Sequence, residues 1–334
     1  MWWVGHAWAY ETDQLTARDQ QLADATEVAN RLMDDVLARA VDRVNDRSVC
    51  GDHDLASVAR AVHHLTSRRE GVWERGAFRA AGFGTFTAAI EGDPSVDRFG
   101  FEAREDLYGV VPFGASMILR LAGPCSTFEI GGVRMGSDKI DHFLDTGYHY
   151  FRAHTLDPAL PVRAGTASER SFYGLFTSKT FSYADLRANW DGLRFYRALD
   201  TYVAARPDGC LEVTRPFDWR EWASPEWDEV LNPPVYTRAV EEAVLAGLQA
   251  NQGEVCASWG RWDVGGWREA ALADTFAPPY ASGPVPARRD PWQLVALCDP
   301  TREHPLTPSA LRPRQEVRAQ RQAASAVSAS GDLR

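Results

Sequence analysis

Apolar residues recur at helical spacing in several separate stretches of the chain. Val28, Leu32, Val36, Leu37, Ala40 and Val44 share one face of a 3.6-residue period, and Asp24 stands at capping-box distance from Glu27, so an amphipathic helix is expected over 25–45. Asp54 precedes a second stripe of Leu55, Val58, Val62 and Leu65, which predicts a helix over 54–67. Its neighbours His63 and His64 point about 100° apart on such a helix and do not serve one ligand together. The same spacing predicts helices over 138–153, 183–204 and 237–249. From 69 to 109 the chain is rich in Gly and Phe without a clean period, which reads as irregular structure or short helices. Phe128, Glu129 and Ile130 lead into Gly131 and Gly132, and Val133, Arg134 and Met135 follow, the pattern of a tight two-residue hairpin. The expected fold is mainly α: an irregular multi-helix globular domain over 1–277 with one small β-hairpin. Beyond Pro278, prolines at 279, 284, 286, 291, 300, 305 and 308 exclude long helices, so 278–334 is expected to be a Pro/Ala-rich, partly flexible extension.

The helix expected over 138–153 carries two different faces. Ser137 stands where a cap is wanted, and Ile140, Phe143, Leu144, Gly147 and Phe151 make the apolar stripe. Asp138, His142, Asp145 and His149 fall at i, i+4, i+7 and i+11 on the other side. A hydrated polar face explains that row, and so does a site: neutral imidazoles and ionised carboxylates are the groups that acid–base chemistry or a divalent metal needs. Asp138, His142 and His149 are the metal candidates. One helix face supplies two ligands easily and three only with help from a second segment.

The helix expected over 183–204 is the natural partner. Ser182 and Asp185 form a capping pair, and Asp185, Asn189, Gly192 and Tyr196 repeat the i, i+4, i+7, i+11 spacing. Gly192 inside a helix costs about 1 kcal/mol relative to Ala and marks a close approach, either of another helix or of a ligand. Tyr183, Leu186, Trp190 and Leu193 form the opposite stripe. Between the two helices, Glu169 lies among aromatic residues; it is either a capping carboxylate or a general acid whose pKa those rings raise, paired with Asp138 or Asp185 across a glycosidic bond.

Composition narrows the field. A net charge of -10 and a pI near 5.3, with basic residues scattered among acidic ones, argue against a nucleic-acid partner. No apolar run reaches the roughly 20 residues of a membrane-spanning helix. The N-terminal residues do not form a signal peptide, so the protein is expected to be cytoplasmic, or periplasmic or secreted if a leader was removed before Trp2. Five cysteines, at 50, 125, 210, 256 and 298, lack zinc-finger spacing; they admit two disulfides and a free thiol, or five reduced thiols. Twelve tryptophans in clusters at 2, 3 and 8, at 219, 222 and 227, and at 259, 262 and 267 serve either as core bulk or as sugar-stacking platforms. Nucleophile-elbow, Walker, H-E-x-x-H and dinucleotide-binding patterns do not occur.

The segment Asp138, Lys139, His142, Phe143 reads D-K-x-x-H-F, and 182–189 reads S-x-A-D-L-x-A-N. With Tyr173-Gly174 and the stretches 11–14 and 227–233, these resemble a group of uncharacterised, often exported bacterial proteins over about two thirds of the chain. The resemblance implies an extracytoplasmic location and no particular activity. The leading expectation is a hydrolase acting on a cell-envelope glycan, peptidoglycan or polysaccharide. Asp138, His142, Glu169, Asp185 and Asn189 would surround the scissile bond, and Lys139, Tyr183, Trp190 and Tyr196 would hold substrate. No organic cofactor is implied, and a divalent metal is admitted. The alternatives are a metal-dependent hydrolase using Asp138, His142 and Asp185 or His149, and a non-catalytic envelope or interaction protein whose polar rows form a buried network.

Overall fold

A computed structural model of the chain describes residues 12–13, 20–46, 50–51, 54–67, 84–99, 107–116, 125–171, 174–230, 232–253 and 256–257. The Trp groups at 2–8 and 259–267, Tyr173 and the extension 278–334 lie outside them. Helix α1 (Thr26–Asn45) buries Val36, Leu37, Ala40 and Val44 of the expected stripe together with Ala29, Met33 and Val41, while Val28 and Leu32 are only partly buried against the core. Asp24 Oδ1 accepts from the Thr26 amide at 2.9 Å, whereas Glu27 pairs with Arg220 at 3.2 Å and so does not close a capping box. Helix α2 (Leu55–Thr66) is capped by Asp54, which accepts from the Ser57 amide at 2.7 Å. Helix α3 (Thr85–Gly92) lies inside the stretch read as irregular or short-helical.

The hairpin forms as its glycines require. Strands β1 (Thr127–Ile130) and β2 (Val133–Gly136) pair antiparallel with Ile130 opposite Val133, and Gly131 and Gly132 take φ of 65° and 73°, as a type I′ turn demands. The chain then runs through α4 (Asp138–Asp141), a π turn (His142–Thr146) and α5 (Gly147–His154) without a break. Helix α6 (Leu160–Arg170), with Pro161 in its first turn, was not foreseen. A second π turn (Gly174–Ser178), β3 (Thr180–Phe181) and α7 (Tyr183–Arg197) follow. Strands β4 (Val203–Ala205), β5 (Leu211–Val213) and β6 (Val235–Tyr236) lead to α8 (Arg238–Ala250).

Two expectations need correction. The helix predicted over 183–204 ends at Arg197, because Val203, Ala204 and Ala205 pair with β5 instead; strand pairing overrides the helical preference of the alanines. There are three antiparallel strand pairs among the described residues, β1–β2, β3–β6 and β4–β5, in place of one hairpin. The β3–β6 pair joins distant segments over two residues each, which leaves no local sequence signal.

The main core gathers α1–α3, the hairpin and the apolar sides of α4–α5 and α7 around Phe143. Its ring lies 5.1 Å from Trp219, 5.3 Å from Phe195 and 5.4 Å from Trp227, centroid to centroid. Trp219 and Trp227 are completely buried, so this tryptophan group is core bulk. Helices α5 and α7 make the most extensive helix–helix contact, and Gly192 is the reason they approach closely. A Cβ on Gly192 would stand 2.0 Å from the Phe143 carbonyl oxygen and 2.8 Å from the Gly147 Cα. Backbone atoms on both sides leave no side chain to move aside. Gly192→Ala is therefore expected to destabilise the protein by about 1–3 kcal/mol, despite the better helix propensity of Ala; urea denaturation measures it. No helix among the described residues is long and apolar enough to cross a membrane.

Candidate functional site

The π turn divides the polar row. A straight α-helix would keep Asp138, His142, Asp145 and His149 on one face. The widened turn over 142–146 sends Asp138 and His142 toward α7, while Asp145 meets His63 of α2 at 2.7 Å and His149 at 3.6 Å. His149 thus does not join Asp138 and His142, as the metal candidates required. Ser137 also departs from expectation. Its backbone is already helical and its hydroxyl makes no capping bond.

Asp138 and His142 instead meet the N-terminal half of α7. Ser182 caps that helix, accepting from the Asp185 amide at 3.1 Å, and so fixes where Asp185 and Asn189 project. His142 Nε2 lies 3.3 Å from Asp185 Oδ2, and Nδ1 lies 2.9 Å from Asn189 Oδ1. The Asn189 amide in turn faces the Tyr150 hydroxyl at 3.5 Å, and Tyr150 fits because Gly165 of α6 has no Cβ to meet its oxygen. Glu169, near the end of α6, accepts from the Ser182 amide at 3.3 Å.

Lys139 is the centre of the cluster and is completely buried. Its Nζ stands 2.6 Å from each of Asp138 Oδ2, Asp185 Oδ1 and Glu229 Oε1. Thr12 donates to Asp138 Oδ1 at 3.0 Å, and Ser182 Oγ donates to Glu229 Oε1 at 3.2 Å. Lys139 was expected to bind substrate; its partners are instead these three carboxylates. Glu229 was missed as a site residue, although it lies in the 227–233 segment that the resemblance had marked, as Thr12 lies in 11–14.

Burial and charge set the protonation states. Burial alone would favour the neutral His142 ring, but the charge and hydrogen bond of Asp185, with the Asp138 charge adding, together outweigh it and raise the imidazole to about 10. Both ring nitrogens then carry protons, which matches donation to Asn189 and to Asp185 at once. Burial also works against an ionised Asp185, yet His142 and Lys139 hold its carboxyl well below the usual carboxylate range. Glu169 goes the other way: burial, with the Asp185 charge adding, pushes it up to about 8. Glu229 is raised by burial to about 7. Burial raises Tyr150 as well.

Oxygen and nitrogen atoms of Asp138, His142 and Asp185 lie within 4.8 Å of one another, a spacing a metal would accept. The Lys139 ammonium, however, already provides a cation between Asp138 and Asp185, and a protonated His142 has no lone pair to give. The remaining candidates lie further out. Tyr183 is buried in a small apolar cluster with Phe181, Leu186 and Val235, and Trp190 packs on that cluster half-buried. Tyr196 is buried and donates to the Leu144 carbonyl inside the π turn at 2.7 Å. No protein-family model, curated protein or solved structure matches the chain.

Proposed function

We propose that the protein is a hydrolase of a cell-envelope glycan, working outside the cytoplasm with Glu169 as its acid and Asp185 as its anion. The observation that carries this reading is the separation of two carboxyl groups in one cluster: Glu169 is pushed up to about 8 while Asp185 is held ionised. Paired carboxyls driven apart in this way are the arrangement used to break glycosidic bonds. Glu169 gives its proton to the leaving oxygen as the bond to the sugar carbon breaks. The Asp185 carboxylate offsets the positive charge that develops on the sugar. Water then adds to that carbon and returns a proton to Glu169, which restores the starting state. His142, the most exposed member of the His142–Asp185 and Lys139 ion pairs with 11% of its side chain accessible, marks the side from which substrate approaches. An oxidising compartment is supported by the disulfide Cys50–Cys210 and by the disulfide-bonded state of Cys256, together with the resemblance to exported proteins. Cys125 is buried.

Glu169→Gln and Asp185→Asn are each expected to lower the release of reducing ends from peptidoglycan or polysaccharide by about 100-fold or more, since each removes a group used in the transition state. Unchanged release, or none by the unaltered protein, would overturn the assignment. A second reading is favoured by the complete burial of Lys139 among three carboxylates: a non-catalytic protein in which the network joins α4, α7 and the 226–232 segment. Under it, the same two substitutions lower the melting temperature and there is no hydrolysis to lose.

A further inference from the structure

The other half of the divided row makes a second cluster that the acid–base centre does not use. His63 lies in the last turn of α2, Asp145 in the π turn and His149 in α5. Both imidazoles aim Nε2 at the same oxygen, Asp145 Oδ1, at 2.7 and 3.6 Å. Nε2 of His149 is beyond hydrogen-bonding distance of that oxygen and makes no hydrogen bond among the described residues. The His63 ring is stacked on Tyr148 at 4.2 Å and meets the His149 ring edge-on at 5.3 Å, so both rings are held in place by packing. One ligand atom from each of the three residues lies within 4.8 Å of the others.

We propose that His63, Asp145 and His149 bind a divalent first-row metal of the zinc type, with at least one coordination position left to water. Two imidazoles and one carboxylate are a donor set suited to zinc and its neighbours. Bonds of about 2.1 Å in tetrahedral geometry set ligand atoms about 3.4 Å apart. The His149–Asp145 distance of 3.6 Å is already close to that, and His63, at 2.7 Å from the same oxygen, has to withdraw by about 0.7 Å. The side chains of His63, Asp145 and His149 are 22%, 16% and 36% accessible. A metal therefore enters from solvent and keeps an open side, while its ligands tie α2 to the α4–α5 rod. The buried cluster differs on each point, since Lys139 supplies its cation and His142 is protonated.

Cobalt(II) titration of the full chain after chelator treatment tests this. The expected result is a visible absorption band saturating at one equivalent, with the dissociation constant raised about 100-fold or more by His149→Gln and by His63→Gln. His142→Gln should leave the band in place, and circular dichroism establishes that each variant is folded. His149, the most exposed of the three ligands, keeps the test usable if His63→Gln unfolds. Absence of saturable one-equivalent binding overturns the proposal. So does a band that survives His149→Gln and is lost in His142→Gln, which would place the metal on the buried cluster.

Discussion

Replacing Lys139 by Met is expected to lower the unfolding free energy by about 3–5 kcal/mol, the usual consequence of removing one partner from a buried ionic cluster. Met nearly preserves the volume of the aliphatic stem, so the loss reports on charge more than on packing. Without Nζ, the carboxylates of Asp138, Asp185 and Glu229, each 2.6 Å from it, face one another in a region with no accessible water at the Lys139 side chain. His142 is then the remaining cation beside Asp185. The group responds by taking up protons, which the unfolded chain does not need at neutral pH, so the penalty should shrink as pH falls. Urea denaturation of the variant and the unaltered protein at pH 5 and pH 8 checks both points. A variant as stable as the parent, or one whose deficit is larger at pH 5, would show that the cluster does not depend on this ammonium. Arg is no substitute. Its planar fork is larger than an ammonium, and overfilling a fully buried position typically costs a further 1–3 kcal/mol or so.

How much of this was legible in the sequence differs from element to element. The apolar stripes of α1, α2 and α8 set their own limits to within a residue or two, because one face of each meets the core and local pattern and tertiary burial agree. The Gly131-Gly132 turn was legible because few other residues tolerate its two left-handed positions. The end of α7 was not. Val203–Ala205 has a helical composition, and only its pairing with Leu211–Val213 makes it a strand, a contact no local pattern announces. Helix α6 was hidden because its buried face is largely Gly165, Thr166 and Glu169, residues that carry little hydrophobic signal.

The site was legible as a set of residues more than as an arrangement. Asp138, His142, Asp185 and Asn189 do meet, since two helices with polar faces at matching spacing bury those faces against each other. Gly192 was read correctly as a close approach and proves to be a helix crossing. The π turn defeated the rest: one widened turn redirects Asp145 and His149 to His63, and a fixed 100° per residue contains no sign of it. Lys139 was visible as a cation next to Asp138, but its other two carboxylate partners, Asp185 and Glu229, come from separate parts of the chain. Glu229 sits in the non-helical segment after the short turn Pro225–Trp227, where no periodicity points inward.

The buried titrating groups also give the protein an uncommon pH response: its melting temperature should fall steadily from pH 5 to pH 9. Glu169 and Glu229 have ordinary values of 4.5 and folded values of about 8 and about 7. Each binds its proton more tightly when folded, so its contribution is complete below 4.5 and is lost as pH rises through the folded value. His142 rises from 6.5 to about 10; its contribution is complete below 6.5 and is lost toward 10. All three slopes have the same sign, each at most about 1.4 kcal/mol per pH unit. Asp185, lowered from 3.8, contributes stability above that value and loses it only in stronger acid. His149, lowered from 6.5, opposes the trend near pH 6. Because the cluster shares its protons, the steps belong to the group as a whole, and substitution separates them better than curve fitting does. Glu169→Gln and Glu229→Gln together should flatten the profile between pH 5 and about 6.5 and leave the decline above 6.5, which His142 alone then causes. Calorimetry across this range is decisive. A melting temperature that holds level or climbs from pH 5 to pH 9 would mean that these carboxyl groups are not kept protonated by the fold, and with that the acid role of Glu169 would lose its physical basis.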